Sequence, residues 1–256
     1  MPLDAWAESV EGLQAQADEI KQASNTTLVL ATRKNVPPLV LEAIGQNHFL
    51  RTLHLEMTEF GDGGCEALCR SGAPSEQLQT LKLGRNQITS HGLPALSTFL
   101  KRSRLTSLDL CCDPLGGALD VLGHAVAQSD TMTSLNLDET QARGEGVAAL
   151  VHALTENRRE RVNQLRVLSL QGNHIDDQTA AQVAKPLIAE CRSLEQVLLS
   201  RNAIGDLGGI AIGDAIEQHC EASSGGGGPS HGPRLALRKL STPQRFLNPG
   251  LSLLSL

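Results

Sequence analysis

Tyrosine is missing from this 256-residue chain, tryptophan occurs once and phenylalanine four times. With 40% of the residues apolar, a core must be assembled from Leu, Ile, Val and Ala. Aromatic anchors, the usual hot spots of protein interfaces, are scarce. No run of about 18 apolar residues occurs, so no membrane-spanning helix is expected. The opening residues MPLDAWAESVEG hold neither the basic region nor the apolar stretch of a secretory signal. The six cysteines, at 65, 69, 111, 112, 191 and 220, form no CxxC pair, and reduced thiols are expected. Lys and Arg number 22 against 28 Asp and Glu, a formal charge of −6. A nucleic-acid binder would carry a basic footprint instead. The expectation is a cytoplasmic protein, monomeric, without nucleic-acid or membrane partners.

Catalytic patterns are equally sparse. The eight histidines show no HExxH spacing, and no GxSxG or P-loop sequence occurs. The run GEGVAA (144–149) has the form GxGxxA of a dinucleotide-binding turn. Its Gly146, however, falls in a phase shared with Gly64, Gly92 and Gly208, so a repeated packing constraint explains it without a ligand. His54 and the Cys111–Cys112 pair belong to segments too far apart to share a metal. No enzyme activity, cofactor or metal is expected.

What the chain does contain is a recurring phrase. LQTLKLGRNQIT (78–89) returns as LRVLSLQGNHID (165–176) and LEQVLLSRNAIG (194–205). Six copies begin at Leu50, Leu78, Leu105, Met132, Leu165 and Leu194, spaced 28, 27, 27, 33 and 29 residues apart. Their fourth and sixth positions are apolar throughout, the alternation of a short strand with one buried face. The ninth position holds Thr58, Asn86, Asp113, Thr140, Asn173 and Asn202. A short polar side chain repeated once per turn can satisfy backbone groups where each strand turns inward. Leucines and other aliphatics at i, i+4 follow, as in Leu96/Leu100, Leu150/Leu154 and Val183/Leu187. Each unit is strand, turn and helix, and no unit can bury its apolar face alone.

These copies resemble the leucine-rich repeats of the ribonuclease-inhibitor type. The resemblance implies an α/β fold, a right-handed solenoid shaped as a horseshoe or arc, with parallel strands on the concave face and helices on the convex face. A degenerate copy at 25–44 puts Leu28 and Leu30 in the fourth and sixth positions. The expected organisation is an amphipathic capping helix in 1–24, repeats over 25–221, a Gly/Ser/Pro-rich linker at 222–233 and a docked segment at 234–256. In the first of these, Leu3, Trp6, Val10, Leu13, Ala17 and Ile20 form an apolar stripe. In the last, Leu237, Leu240 and Thr242 imitate a final strand.

Residues alternating with the buried leucines should face the concave side. There the centre reads as acidic (Asp109, Asp138, Glu139), flanked by Lys82, Arg85, Arg166 and Arg201, with His54 and Leu198 at either end. This patterning suggests a protein scaffold or interaction module that holds a basic segment of its partner. The alternative is activation of a small GTPase, because the activating protein for Ran is built from similar repeats with turns like AIGDLGG (203–209). An inserted loop, ENRRERVNQ, would offer Arg158, Arg159 and Arg161 for it. Against it stand the basic C-terminal run RLALRKLSTPQRF, where that family has an acidic tail, and the smaller number of repeats.

Overall fold

The computed structural model describes residues 9–70, 77–156, 164–191, 193–224 and 239–241. Among them the helices are α1 (Val10–Gln22), α2 (Pro38–Gly45), α3 (Gly61–Arg70), α4 (Leu93–Arg102), α5 (Asp120–Ala127), α6 (Arg143–Thr155), α7 (Asp177–Glu190) and α8 (Asp206–Ser224). The strands are β1 (Thr27–Val29), β2 (Thr52–His54), β3 (Thr80–Lys82), β4 (Ser107–Asp109), β5 (Ser134–Asn136), β6 (Val167–Ser169), β7 (Gln196–Leu198) and β8 (Lys239–Ser241). All eight strands are parallel in a single sheet, in sequence order. The fold is an α/β solenoid of leucine-rich repeats.

The pairing preserves one register: Leu28, Leu53, Leu81, Leu108, Leu135, Leu168, Val197 and Leu240 are successive partners. The degenerate copy is thus a true first rung, and Leu240 continues the fourth-position row. The linker at 222–233 (beyond Ser224), Leu237, Thr242 and the rest of 234–256 apart from β8 lie outside the described residues. One continuous core runs the length of the array, built from the fourth- and sixth-position leucines and the helix faces. The i, i+4 pairs Leu96/Leu100 and Leu122/Val126 are buried in it.

At the ninth position a chain of side chains satisfies the turning backbone. The Asn86 amide oxygen accepts from Thr58 N (2.7 Å), the Thr58 hydroxyl (2.8 Å) and Glu59 N (3.0 Å). Its amide nitrogen donates to the carbonyls of Leu55 and Leu83. Asn173 repeats this towards Thr140 N (3.0 Å), Ala142 N (3.2 Å) and the Leu137 carbonyl (2.7 Å). Asn202 does so towards Asn173 N (2.8 Å), Ile175 N (3.1 Å) and the Leu170 carbonyl (2.9 Å).

Asp113 fills the same slot with a carboxyl. Its Oδ1 accepts from Asn86 N (2.7 Å) and Ile88 N (3.0 Å). Its Oδ2 is buried with no hydrogen-bond partner. By the repeat's register this oxygen takes the place of an asparagine NH2, the group that at Asn86 donates to strand-end carbonyls. Burial, with the charge of Asp109 adding to it, pushes the Asp113 carboxyl up to about 7 against three lowering backbone N–H bonds. A protonated carboxyl resolves the conflict, because its OH can donate where a carboxylate can only accept.

The N-terminal helix departs from its expected stripe. Ala17 and Ile20 are buried, but Leu13 is half-buried and Val10 is 75% exposed, while Leu3 and Trp6 lie outside the described residues. Only the second half of α1 meets the core. Its end is pinned by buried Asn47, which donates to the carbonyls of Ile20 (2.7 Å) and Ala23 (2.8 Å).

Two predictions follow from the ladder. Asn173→Leu strands the backbone groups that Asn173 serves, and urea titration should show a loss of about 1–3 kcal/mol. For Asp113 the folded-state carboxyl titrates well above the unfolded one, so the folded state binds the extra proton. Its contribution is complete below about pH 4 and is lost as pH rises through about 7. Asp113→Asn supplies a permanent donor there and should be more stable than wild type at pH 8, on the order of 1–3 kcal/mol. That advantage should shrink towards pH 4; a pH-independent difference would refute the protonated carboxyl.

Candidate functional site

The outward rows of the sheet follow from strand alternation. Partners along the fifth position are Val29, His54, Lys82, Asp109, Asn136, Ser169 and Leu198. Two residues earlier stand Thr27, Thr52, Thr80, Ser107, Ser134, Val167 and Gln196. At the eighth position the chain turns inward through left-handed backbone, at Thr32, Met57, Arg85, Cys112, Glu139, Gly172 and Arg201. Side chains in that row are thrown clear of the core: Met57, Arg85 and Arg201 are exposed.

The acidic centre is turned in on itself. Asp138 accepts from the Ser169 hydroxyl, from Gln171 N (2.8 Å) and from the Gln171 amide (3.0 Å). Glu139 is ion-paired with Arg201. That bridge skips a rung, and Gly172 in the intervening rung makes room for it. A Cβ there would come to 2.9 Å from Glu139 Cγ. Arg166 is set apart from this row; it precedes β6 and meets Glu195 at 3.3 Å. Asp109 holds Cys111 N at 2.9 Å through one oxygen only. A centre open to a basic segment is therefore not what these contacts provide.

The first half of the face is arranged differently. Lys82 approaches Glu56 only to 3.8 Å. The Arg85 side chain has no hydrogen-bond or ion-pair partner among the described residues. The hydroxyls of Thr52, Thr80, Ser107 and Ser134 likewise have none, and they are not buried. This hydroxyl row was missed in the sequence because Thr and Ser at strand positions read as ordinary strand formers; the signal was their recurrence at the third position of consecutive copies.

The geometry offers little for catalysis. Cys65, Cys69, Cys111, Cys112 and Cys191 are free thiols. Burial first, then the charge of Asp109, raises the Cys111 thiol further from ionisation, the opposite of a poised nucleophile. At the dinucleotide-like turn, a Cβ on Gly146 would fall 2.9 Å from Gly116 O, and one on Gly144 would overlap the Thr179 hydroxyl. Both glycines serve contact between rungs. In AIGDLGG, Gly205 N and Gly208 N donate to the Asp177 carboxylate of the preceding rung, so this turn too is a packing device. Arg158, Arg159 and Arg161 lie outside the described residues.

Comparison with known proteins agrees with this geometry. The family described as "Leucine Rich repeat" matches residues 46–69 and 190–213. "Ribonuclease inhibitor" of Sus scrofa is 27% identical over 172 residues, 66% of this chain and 37% of that protein. "Ribonuclease inhibitor" of Mus musculus is 29% identical over 154 residues, 59% of this chain and 33% of that protein. The chain's leucine-rich repeats are thus similar to those of ribonuclease inhibitors. The chain spans about a third of the length of these relatives. A solved structure, "Leiomodin-1 Actin-Binding Site 2 (ABS2)", aligns at 16% identity and a TM-score of 0.45, over 60% of this chain and 92% of that one. No helix among the described residues of this leucine-rich repeat chain is long and apolar enough to cross a membrane.

The skipped-rung bridge yields a prediction. Gly172 combines φ +66 with a close approach to Glu139, so Gly172→Ala should cost about 1 kcal/mol in urea titration. Arg201→Gln removes only an exposed pair and should change stability by less than about 0.5 kcal/mol.

Proposed function

We propose that the chain is a non-enzymatic module that binds another protein through the first half of its concave face, over the rungs of β2 to β4. The observation that carries this reading is the division of that face. Beyond β4, Asp138, Glu139, Ser169, Gln171 and Arg201 satisfy one another. From β2 to β4 the Arg85 side chain and the hydroxyls of Thr52, Thr80 and Ser107 have no partner among the described residues, beside His54, Lys82 and Asp109, and the Ser134 hydroxyl of β5 continues that row.

Groups already bonded to one another must be pulled apart before a partner can use them, whereas unpartnered surface groups need only exchange water. Met57, 41% exposed beside Arg85 in the eighth-position row, adds an adaptable apolar contact. Such a surface, polar and poor in aromatic rings, suits a partner of moderate affinity whose register is set by Lys82, Arg85 and Asp109. The relatives' printed name points the same way, to inhibition by binding. A monomeric cytoplasmic protein with α1 as its end cap fits this role.

The test is affinity capture from native lysate with quantitative mass spectrometry, comparing wild type with Lys82→Glu/Arg85→Glu and Glu139→Gln/Arg201→Gln. Partners should fall about tenfold or more with the first variant, the equivalent of 1.4 kcal/mol, and persist with the second. Loss in both variants or in neither would reject the assignment to the first half of the face.

A further inference from the structure

A separate charged strip runs along the rim where the strands begin. Immediately before each strand the chain alternates outward, inward, outward around a buried first-position residue. Before β2 this gives Phe49 and Arg51 on either side of Leu50, which is 3% exposed. Before β4 it gives Arg104 and Thr106 on either side of fully buried Leu105. The rungs are stitched together here, with Gln79 N donating to Arg51 O and Thr106 N to Gln79 O, each at 2.8 Å. Arg51 and Thr106 therefore stand two strand spacings apart, about 10 Å, with Arg104 two residues from Thr106. Lys101 and Arg102, in the last turn of α4, lie just behind.

Arg51, Lys101, Arg102 and Arg104 are all exposed, and none of their side chains has a hydrogen-bond or ion-pair partner among the described residues. The last-turn placement of Lys101 and Arg102 can be ascribed to the helix dipole. Arg51 and Arg104 belong to no helix, so that account does not reach them. Two other exposed arginines do meet an acid: Arg166, in the same row as Arg51, pairs with Glu195, and Arg70 pairs with Glu42 at 2.7 Å. Arg51, Lys101, Arg102 and Arg104 gather on the rim between the rungs of β2 and β4, in a chain of net charge −6. Phe49, 51% exposed, sits beside them.

We propose that this rim, formed by Phe49, Arg51, Arg104 and the end of α4, docks an acidic protein segment that carries an apolar side chain. Guanidinium groups bind carboxylates bidentately, and an aromatic ring beside arginine is the usual composition of an interface hot spot. At physiological salt, charges beyond about 8 Å are largely screened, so the local patch outweighs the negative whole. A nucleic acid fits less well: the strip is only a few cations long, and Phe49 is its single stacking ring. The proposal is independent of the concave-face reading, because the two sets of residues do not overlap.

Fluorescence anisotropy on the full chain tests it, with a short fluorescein-labelled peptide of aspartate and glutamate around one leucine as probe. Binding should be saturable, weaken with added salt, and fall about tenfold or more in Arg51→Glu/Arg104→Glu, equivalent to 1.4 kcal/mol. Arg51→Gln/Arg104→Gln, which adds no acid, should lose binding in the same direction with an unchanged melting midpoint. Phe49→Ser should weaken it, and Lys82→Glu/Arg85→Glu should leave it intact. The proposal is overturned by absent saturation with wild type, by undiminished binding to the two Arg51/Arg104 double variants, or by a single-stranded oligonucleotide of matched charge binding more tightly than the peptide.

Discussion

The hydrogen bonds of the ninth-position side chains are the constraint on which the rest of the array depends. Where each strand ends, the chain must turn inward under a neighbouring rung, carrying N–H and C=O groups into a region closed to water. Leaving them unpaired costs about 1–3 kcal/mol each, so the slot demands a side chain able to accept and donate at once. Asparagine meets both demands: Asn86, Asn173 and Asn202 each reach back one rung with the oxygen and hold strand-end carbonyls with the nitrogen.

The less capable residues mark where that continuity breaks. The single hydroxyl protons of Thr58 and Thr140 are shared between a carbonyl of their own rung, Leu55 or Leu137, and the asparagine oxygen of the next, and these side chains are too short to serve the rung before. No side-chain hydrogen bond joins Asp113 to Thr140 among the described residues; Asp113 N turns instead to Leu110 O at 3.3 Å. The ladder is therefore two segments, Thr58–Asn86–Asp113 and Thr140–Asn173–Asn202. Across the junction the rungs rely on the β4–β5 pairing and on the packing of α5 against α6. Asp113, at the end of the first segment, is also the member left with an unpartnered oxygen.

The sequence made the fold legible because its strongest signal, leucine at fixed offsets, comes from burial that every rung shares. The same offsets put Leu28 in register with Leu53 although that copy lacks the ninth-position asparagine. Contacts whose geometry depends on reach were not legible. Nothing in the spacing announces that Arg201 passes over Gly172 to Glu139, or that Arg166 is matched by Glu195. Nor does an apolar stripe tell how much of a helix will find a surface: Val10 fits the pattern and remains outside the core. Asn47, pinning the end of α1, has no counterpart in the repeats and so left no periodic trace.

The distribution of charge illustrates why composition misleads at the level of a site. The acids outnumber the bases, and those on the concave face cluster at its centre, which suggests an acidic patch. Once the fold places them, Asp138 is bound to Ser169 and Gln171 and Glu139 to Arg201, whereas the side chains of Arg85, Arg51 and Arg104 have no partner among the described residues. A charge already matched by a neighbour has less field to offer a third molecule, and recruiting it means breaking its present contacts. What a partner can use is the unmatched remainder, which in this solenoid includes Arg85 on the concave side and Arg51 and Arg104 on the rim.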